Sequence, residues 1–142
     1  MSLEENKAVV RRFIEEVFER GNVDAVDRLV ADDFVPHTWP GTTDRDGLKA
    51  TMARVANGLA DASFTIDDLI AEGDRVVARV TASATQVGEF MGMPPSGKRY
   101  TIDEIHIFRV RDGRIVEHWH QFDQTGMMRQ LGAMPGARTA RD

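Results

Sequence analysis

The chain has 142 residues, 42% of them hydrophobic and 29% charged, the make-up of one soluble globular domain able to bury a core and hold a small-molecule hollow. Its 18 Lys and Arg against 23 Asp and Glu leave a formal charge of −5, so no basic stripe for a phosphate backbone exists and nucleic acid is not expected as a partner. With no cysteine, disulfides, thiolate nucleophiles and cysteine-ligated metals are excluded. No apolar run reaches signal-peptide or membrane-spanning length, and the expected setting is the cytoplasm, away from membranes.

Val9, Val10, Phe13, Ile14, Val17 and Phe18 recur at helical spacing, with Glu5, Arg11, Glu15, Glu16 and Glu19 on the other faces. This predicts an amphipathic helix ended by Gly21. A short second helix is expected from Asp24 to Val30, with Val26, Leu29 and Val30 inward, before Asp32-Asp33-Phe34-Val35 extends. A third is expected from about Arg45 to Leu59 on the stripe Leu48, Met52, Val55 and Leu59. The pattern then turns to strands: Phe64 to Ala71 and Arg75 to Gln86 form a hairpin about Glu72-Gly73-Asp74. After a loop from Gly88 to Lys98, Tyr100 to Arg111 and Arg114 to Asp123 are strands joined at Asp112-Gly113. Asp123 or Thr125 caps a last helix through Leu131, closed by Gly132. Residues 1–133 read as one domain and 134–142 as a mobile tail. Helices first and long strands after them give an α+β class: a cone-shaped, curved antiparallel sheet backed by N-terminal helices, with its open end available to a ligand.

The last strand carries the chemistry. Alternation puts Val116, His118, His120 and Phe122 on one face, and imidazoles on a face that begins and ends apolar suggest a lined cavity. Two registers compete for its pairing with the preceding strand. A two-residue turn opposes Phe108 to Glu117 and Ile105 to His120, whereas a three-residue loop with Gly113 left-handed opposes Phe108 to Val116, His106 to His118, Glu104 to His120 and Ile102 to Phe122. The second keeps like with like and is the expected one. It gathers Glu104, His106, His118 and His120 into one polar patch, with His37 and Trp39 along the rim.

Glu104 beside an apolar wall can act as a base, and pairing with His120 would fix that ring's tautomer. The competing readings are satisfied cross-strand polar pairs and a metal site made of His106, His118 and Glu104, for which no ligand-spacing motif exists, so no metal or cofactor is expected. Gly92 to Arg99 nearly spells a phosphate loop but ends in Arg where Ser or Thr is required, and it precedes a strand. It is an ordinary connection, and Asp32-Asp33 and Asp67-Asp68 are solvated charges. Ile105, Ile107 and Trp119 make the opposite sheet face apolar, which suggests a homodimer through the outer sheet face.

The stretches Asn6 to Phe13, Gly88-Glu89-Phe90-Met91-Gly92-Met93-Pro94-Pro95-Ser96-Gly97-Lys98, Phe108 to Trp119 and Phe122-Asp123-Gln124 together resemble the SnoaL-like polyketide cyclase, or ester cyclase, family within the ketosteroid isomerase and nuclear-transport-factor superfamily. The resemblance spans roughly Glu5 to Gly132. It implies a cystatin-like cone, usually dimeric, and cofactor-free intramolecular aldol closure of a polyketide methyl ester through proton removal beside a carbonyl. By resemblance the family's catalytic aspartate falls at His120, where a histidine replaces the carboxylate, and its second pocket histidine matches His106. The resulting assignment is His120 as general acid/base, Glu104 orienting it or sharing the proton, and His106 donating to the enolate oxygen, with His118 lining the pocket. Phe13, Val17, Trp39, Val55, Val80, Phe90 and Phe122 are the expected apolar walls around a hydrophobic small-molecule substrate. A non-catalytic ligand-binding or dimerisation module is the alternative, and a dehydratase or hydrolase of the same fold the third.

Overall fold

The computed structural model describes residues 2–133, so the segment expected as a tail lies outside the described residues. Helix α1 (Leu3–Phe13) starts on a reciprocal cap in which Ser2 Oγ accepts the Glu5 amide at 3.0 Å and the Glu5 carboxylate accepts the Ser2 amide at 2.8 Å. The apolar stripe continues without a break, but the backbone widens into a π-helical turn over Ile14–Glu19, with the Arg20 amide on the Glu15 carbonyl at 3.1 Å. Val17 and Phe18 both lie against the sheet within that turn before Gly21, at φ 70°, ends the run.

The expected second helix is only a 3₁₀ turn (Val23–Ala25) and one α-helical turn, α2 (Val26–Leu29). Val30 opens strand β1 (Val30–Pro36) instead, because its backbone pairs with Ile115. Helix α3 (Arg45–Gly58) is capped by Asp44, whose carboxylate accepts the Gly47 amide at 2.8 Å. Strand β2 (Leu59–Glu72) starts at Leu59 rather than Phe64, since a bulge between Ala60 and Ser63 hides the two-residue period there. Strands β3 (Arg75–Gln86), β4 (Arg99–Arg111) and β5 (Arg114–Phe122) follow, then helix α4 (Gln124–Gln130), whose cap is Asp123.

The five strands form one sheet in the order β1-β5-β4-β3-β2. Strands β2 to β5 pair antiparallel as expected, and the segment expected only to extend after the second helix adds β1 as an edge parallel to β5. The register of β4 and β5 also differs from both expected ones. Asp112 (φ 52°) and Gly113 (φ 79°) form the two-residue turn that needs positive φ twice, pairing Arg111 with Arg114 and Val110 with Ile115. The bulge sits one pair further on, at Val116, so Arg109 meets Glu117, Phe108 meets His118, His106 meets His120 and Glu104 meets Phe122. Relative to the expected loop the pairs beyond the bulge are displaced by two residues, an even number that leaves those side chains on their expected face.

Two apolar clusters fill the concave side. One joins α1, α2 and α3 to Val76, Val80, Phe108 and Ile115; the other gathers Ala82, Ala84, Phe90, Met93, Tyr100, Met127 and Leu131 towards the far end. Val55 and Phe64 touch both from the periphery, and the hollow described below opens between the clusters. None of the described helices is long and apolar enough to cross a membrane.

Where α3 meets β2, the Gly58 carbonyl accepts the amides of Val87 and Gly88 at 2.9 and 3.1 Å, and a Cβ on Gly58 would overlap the Glu89 carbonyl oxygen. Gly58→Ala is therefore expected to destabilise the protein by about 1–3 kcal/mol. Urea unfolding should show a lower midpoint with an unchanged slope.

Candidate active site

Even-numbered residues of β4 face inward, so Tyr100, Glu104, His106 and Phe108 line up along one strand. His118, His120 and Phe122 of β5 lie on the same face across the ladder. The hollow over them measures about 250 Å³. Its polar floor is Tyr100, Glu104, His106 and His120; its walls are Val17 and Phe18 from the π-helical turn, Trp39, Met52 and Val55 from the α3 side, Leu59, Ala62 and Phe64 from β2, and Phe90 from the β3–β4 loop. Glu19, Arg20 and Asp61 stand at the rim.

Three groups of the patch form a continuous hydrogen-bonded chain. His106 Nε2 lies 2.8 Å from Glu104 Oε1, and His106 Nδ1 lies 2.9 Å from His118 Nε2. An ionised carboxylate only accepts, so His106 Nε2 carries the hydrogen; a neutral His106 then has a bare Nδ1, and His118 Nε2 must donate to it. His118 Nδ1 is buried with no partner. Orphaned buried N–H groups are rarer than orphaned acceptors, which assigns the bare nitrogen of His118 to that atom.

The structure thus pairs Glu104 with His106, not with His120 as expected. The reason is the Val116 bulge, which moves His120 opposite His106 and leaves Glu104 facing Phe122. It also removes His106 as a donor to substrate, because both of its ring nitrogens are engaged. His120 makes no side-chain hydrogen bond among the described residues, and its Nδ1 is buried and unpartnered. Its ring is stacked between His106, at 4.5 Å between centroids, and Phe122, at 5.1 Å. Thr38 holds its backbone from both sides, with Oγ1 accepting the His120 amide at 2.7 Å and donating to its carbonyl at 3.2 Å.

Burial, and secondarily the neighbouring His106, pushes the His120 imidazole down to about 3, and burial drives His118 well below the usual imidazole range. Both rings are neutral at physiological pH. Tyr100 moves the other way: burial first, then the Glu104 charge, hold its phenol in the protonated form. The floor therefore offers a carboxylate, a neutral imidazole and a phenol. His106, His118 and His120 each bring a ring nitrogen within 4.8 Å of one another, the one group among the described residues able to hold a metal. As arranged, both His106 nitrogens are already hydrogen-bonded, so a metal would have to break the chain.

Of the expected wall residues, Val17, Trp39, Val55 and Phe90 border the hollow. Phe13 and Val80 do not; they are fully packed core, Phe13 edge-on to Phe108 and Val80 opposite Glu104 on β3. Phe122 lies behind His120 and beside Trp39 rather than at the hollow. His118 is likewise behind the floor, in a layer with Phe108 at 4.5 Å and Phe18 at 6.2 Å. His37, expected at the rim, sits on the opposite face of the sheet, stacked on Trp119 at 4.7 Å and bound to Glu117 at 2.9 Å. β1 runs beside β5 at that point with Val35 opposite Glu117 and Pro36 opposite His118, so His37, one residue on, shares the outward face of Glu117 and Trp119.

Phe18, Met52, Leu59, Ala62, Phe64 and Tyr100 also border the hollow and were not expected there from the sequence. Phe18 and Met52 belong to helical apolar stripes, and Tyr100 shares the parity of Glu104 and His106. A stripe residue reads as core, however, until the sheet leaves a gap opposite it.

The family model for SnoaL-like polyketide cyclases matches residues 8–131. Among curated proteins the chain is similar to the nogalonic acid methyl ester cyclase of Streptomyces nogalater, with 31% identity over 81% of this chain and 89% of that one. It is also similar to the aklanonic acid methyl ester cyclase AcmA of Streptomyces galilaeus, with 28% identity over 92% of each chain. Among solved structures, TsrD from Streptomyces laurentii superposes with a TM-score of 0.86 at 32% identity, covering 94% of this chain and 99% of the other. A family match of that extent, on a sheet with its polar floor in this position, shows that the chain belongs to the SnoaL-like polyketide cyclase family.

Proposed function

We propose that the protein is a cofactor-independent acid–base enzyme that closes a ring in a carbonyl-bearing polyketide by intramolecular aldol addition. Glu104 removes a proton from the carbon next to a carbonyl, and the neutral His120 donates a hydrogen bond to the enolate oxygen that develops. The enolate carbon attacks a second carbonyl of the same molecule, forming the new C–C bond. Glu104 returns its proton to the resulting alkoxide, so substrate and product have the same mass. The observation that carries this reading is the carboxylate on the cavity floor, held by one neutral N–H and flanked by a neutral imidazole with no protein partner.

A neutral imidazole suits the donor role better than the base role. With its pKa lowered to about 3, His120 is a weak base at neutral pH, but its N–H polarises a carbonyl without the cost of burying a cation. This gives Glu104 the base role that the sequence alone suggested for His120, and His120 the donor role suggested for His106. Substrates of the relatives' kind, nogalonic and aklanonic acid methyl esters, are the ones to test first.

Each ester incubated with the protein should yield a product of equal mass and different retention on liquid chromatography with mass detection. Glu104→Gln should lower kcat by about 10²–10⁴-fold, the usual contribution of a positioned general base. His120→Phe, which keeps the stack and removes the donor, should cost about 10²–10³-fold. Undiminished turnover by Glu104→Gln would refute the assignment, and tight binding of both esters with no turnover by the wild type would favour a binding module.

The same imidazole gives a stability signature. Its folded pKa lies below the unfolded reference of about 6.5, so the neutral form stabilises the fold above that pH and the contribution is lost as pH falls from there towards about 3. Urea midpoints should drop across that window, and His120→Phe should flatten part of the drop.

We propose in addition that two copies associate through the outer sheet face. Ile70, Val77, Ile107 and Trp119 form a row across β2, β3, β4 and β5 there, with Ile70 61% and Ile105 43% exposed. Sedimentation should return twice the 15.9 kDa chain mass, and Ile107→Lys should shift it to that of one chain.

A further inference from the structure

We infer that His118, which touches no part of the hollow, is a positioning residue that sets where His106 carries its proton and thereby keeps Glu104 a free base. The inference rests on the proposed role of Glu104. Its ground is the geometry behind the floor: His118 Nε2 is 2.9 Å from His106 Nδ1, and His106 Nε2 is 2.8 Å from the carboxylate. His118 is 1% exposed and lies flat against Phe108, with ring planes 10° apart, so the ring has no room to turn over. Phe18, from the π-helical turn, closes the layer against both His106 and His118.

The consequence follows from donor and acceptor counting. Because His118 presents an N–H, His106 Nδ1 is occupied as an acceptor and cannot take a proton of its own. His106 then stays neutral and gives Glu104 a single hydrogen bond. Were Nδ1 free to protonate, His106 would become a cation paired with the carboxylate, and that pairing would favour the ionised form and weaken the base. An orienting partner one layer behind a histidine typically matters by about 10–100-fold in activity where such partners have been removed.

The test combines imidazole nitrogen NMR of the full chain with kinetics on the two methyl esters. In the wild type the spectrum should show one N–H and one bare nitrogen on each ring, and a nitrogen–nitrogen coupling across the hydrogen bond from His118 Nε2 to His106 Nδ1. His118→Phe keeps the stack with Phe108 but removes the donor; kcat should fall about 10–100-fold with KM within about twofold, since nothing in the hollow changes. His118→Gln, which can place an amide N–H at the same point, should recover most of the loss. The Phe variant should no longer hold His106 in a single neutral form near neutral pH, and the Gln variant should.

A doubly protonated His106 in the wild type, a hydrogen on His118 Nδ1 instead of Nε2, or a Phe variant with unchanged kcat would each overturn the inference. So would a Gln variant as impaired as the Phe variant while its His106 spectrum is normal. If the wild type turns over neither ester, the Glu104 reading fails by itself, and the spectra of the wild type, Phe and Gln forms still decide whether His118 governs the His106 proton.

Discussion

The hydrogen bond from His118 to His106 is the interaction on which the site depends. It lies under the floor between two imidazoles that are 1% exposed, where water cannot compete, and each partner that fails to pair there costs about 1–3 kcal/mol. A bond in such a place has one sense at a time. With the carboxylate of Glu104 accepting at the far end, the direction of every N–H in the chain is decided, and the only charge sits at the end that faces the hollow.

The aromatic surroundings keep that arrangement. His120, His106, His118, Phe108 and Phe122 present their rings within 15° of parallel in neighbouring pairs, so none can rotate without displacing the next. The same packing strips water from the His118 and His120 imidazoles and drives them neutral. Neutrality makes three histidines on one sheet face tolerable, since three buried cations at this spacing would repel strongly at low dielectric. Stacking, desolvation and hydrogen bonding thus support one protonation pattern.

The hollow has a separate cause. Val17 and Phe18 of the π-helical turn both line it, and Glu19 just beyond accepts the Phe64 amide at 2.9 Å, tying the turn to β2. On the other side Thr38 clamps the end of β5 through the His120 backbone. The hollow lies between these two anchors, and the rings on its floor are held from behind, so the polar floor is built on the sheet and not on loops.

The fold class, the helical stripes of α1 and α3, the long hairpins and the shared face of Glu104, His106, His118 and His120 were all legible in the sequence, because they follow from periods of 3.6 and 2 that local chain geometry imposes. Parity is robust: a displacement of two residues left every polar group on its expected face. Which group meets which was not legible. A bulge at Val116 instead of a longer turn at Gly113 costs the chain little locally, and it is selected by how β5 packs between β4 and the parallel edge strand β1. That choice gave Glu104 to His106 instead of His120 and sent His118 behind the floor, while the pairing of β1 with β5 put His37 on the outer face. The sequence by itself determined what chemistry the concave side carries; the hydrogen-bond partners, and with them the roles, were decided only when long-range pairing closed the sheet, since a bulge is stabilised by neighbours far away along the chain.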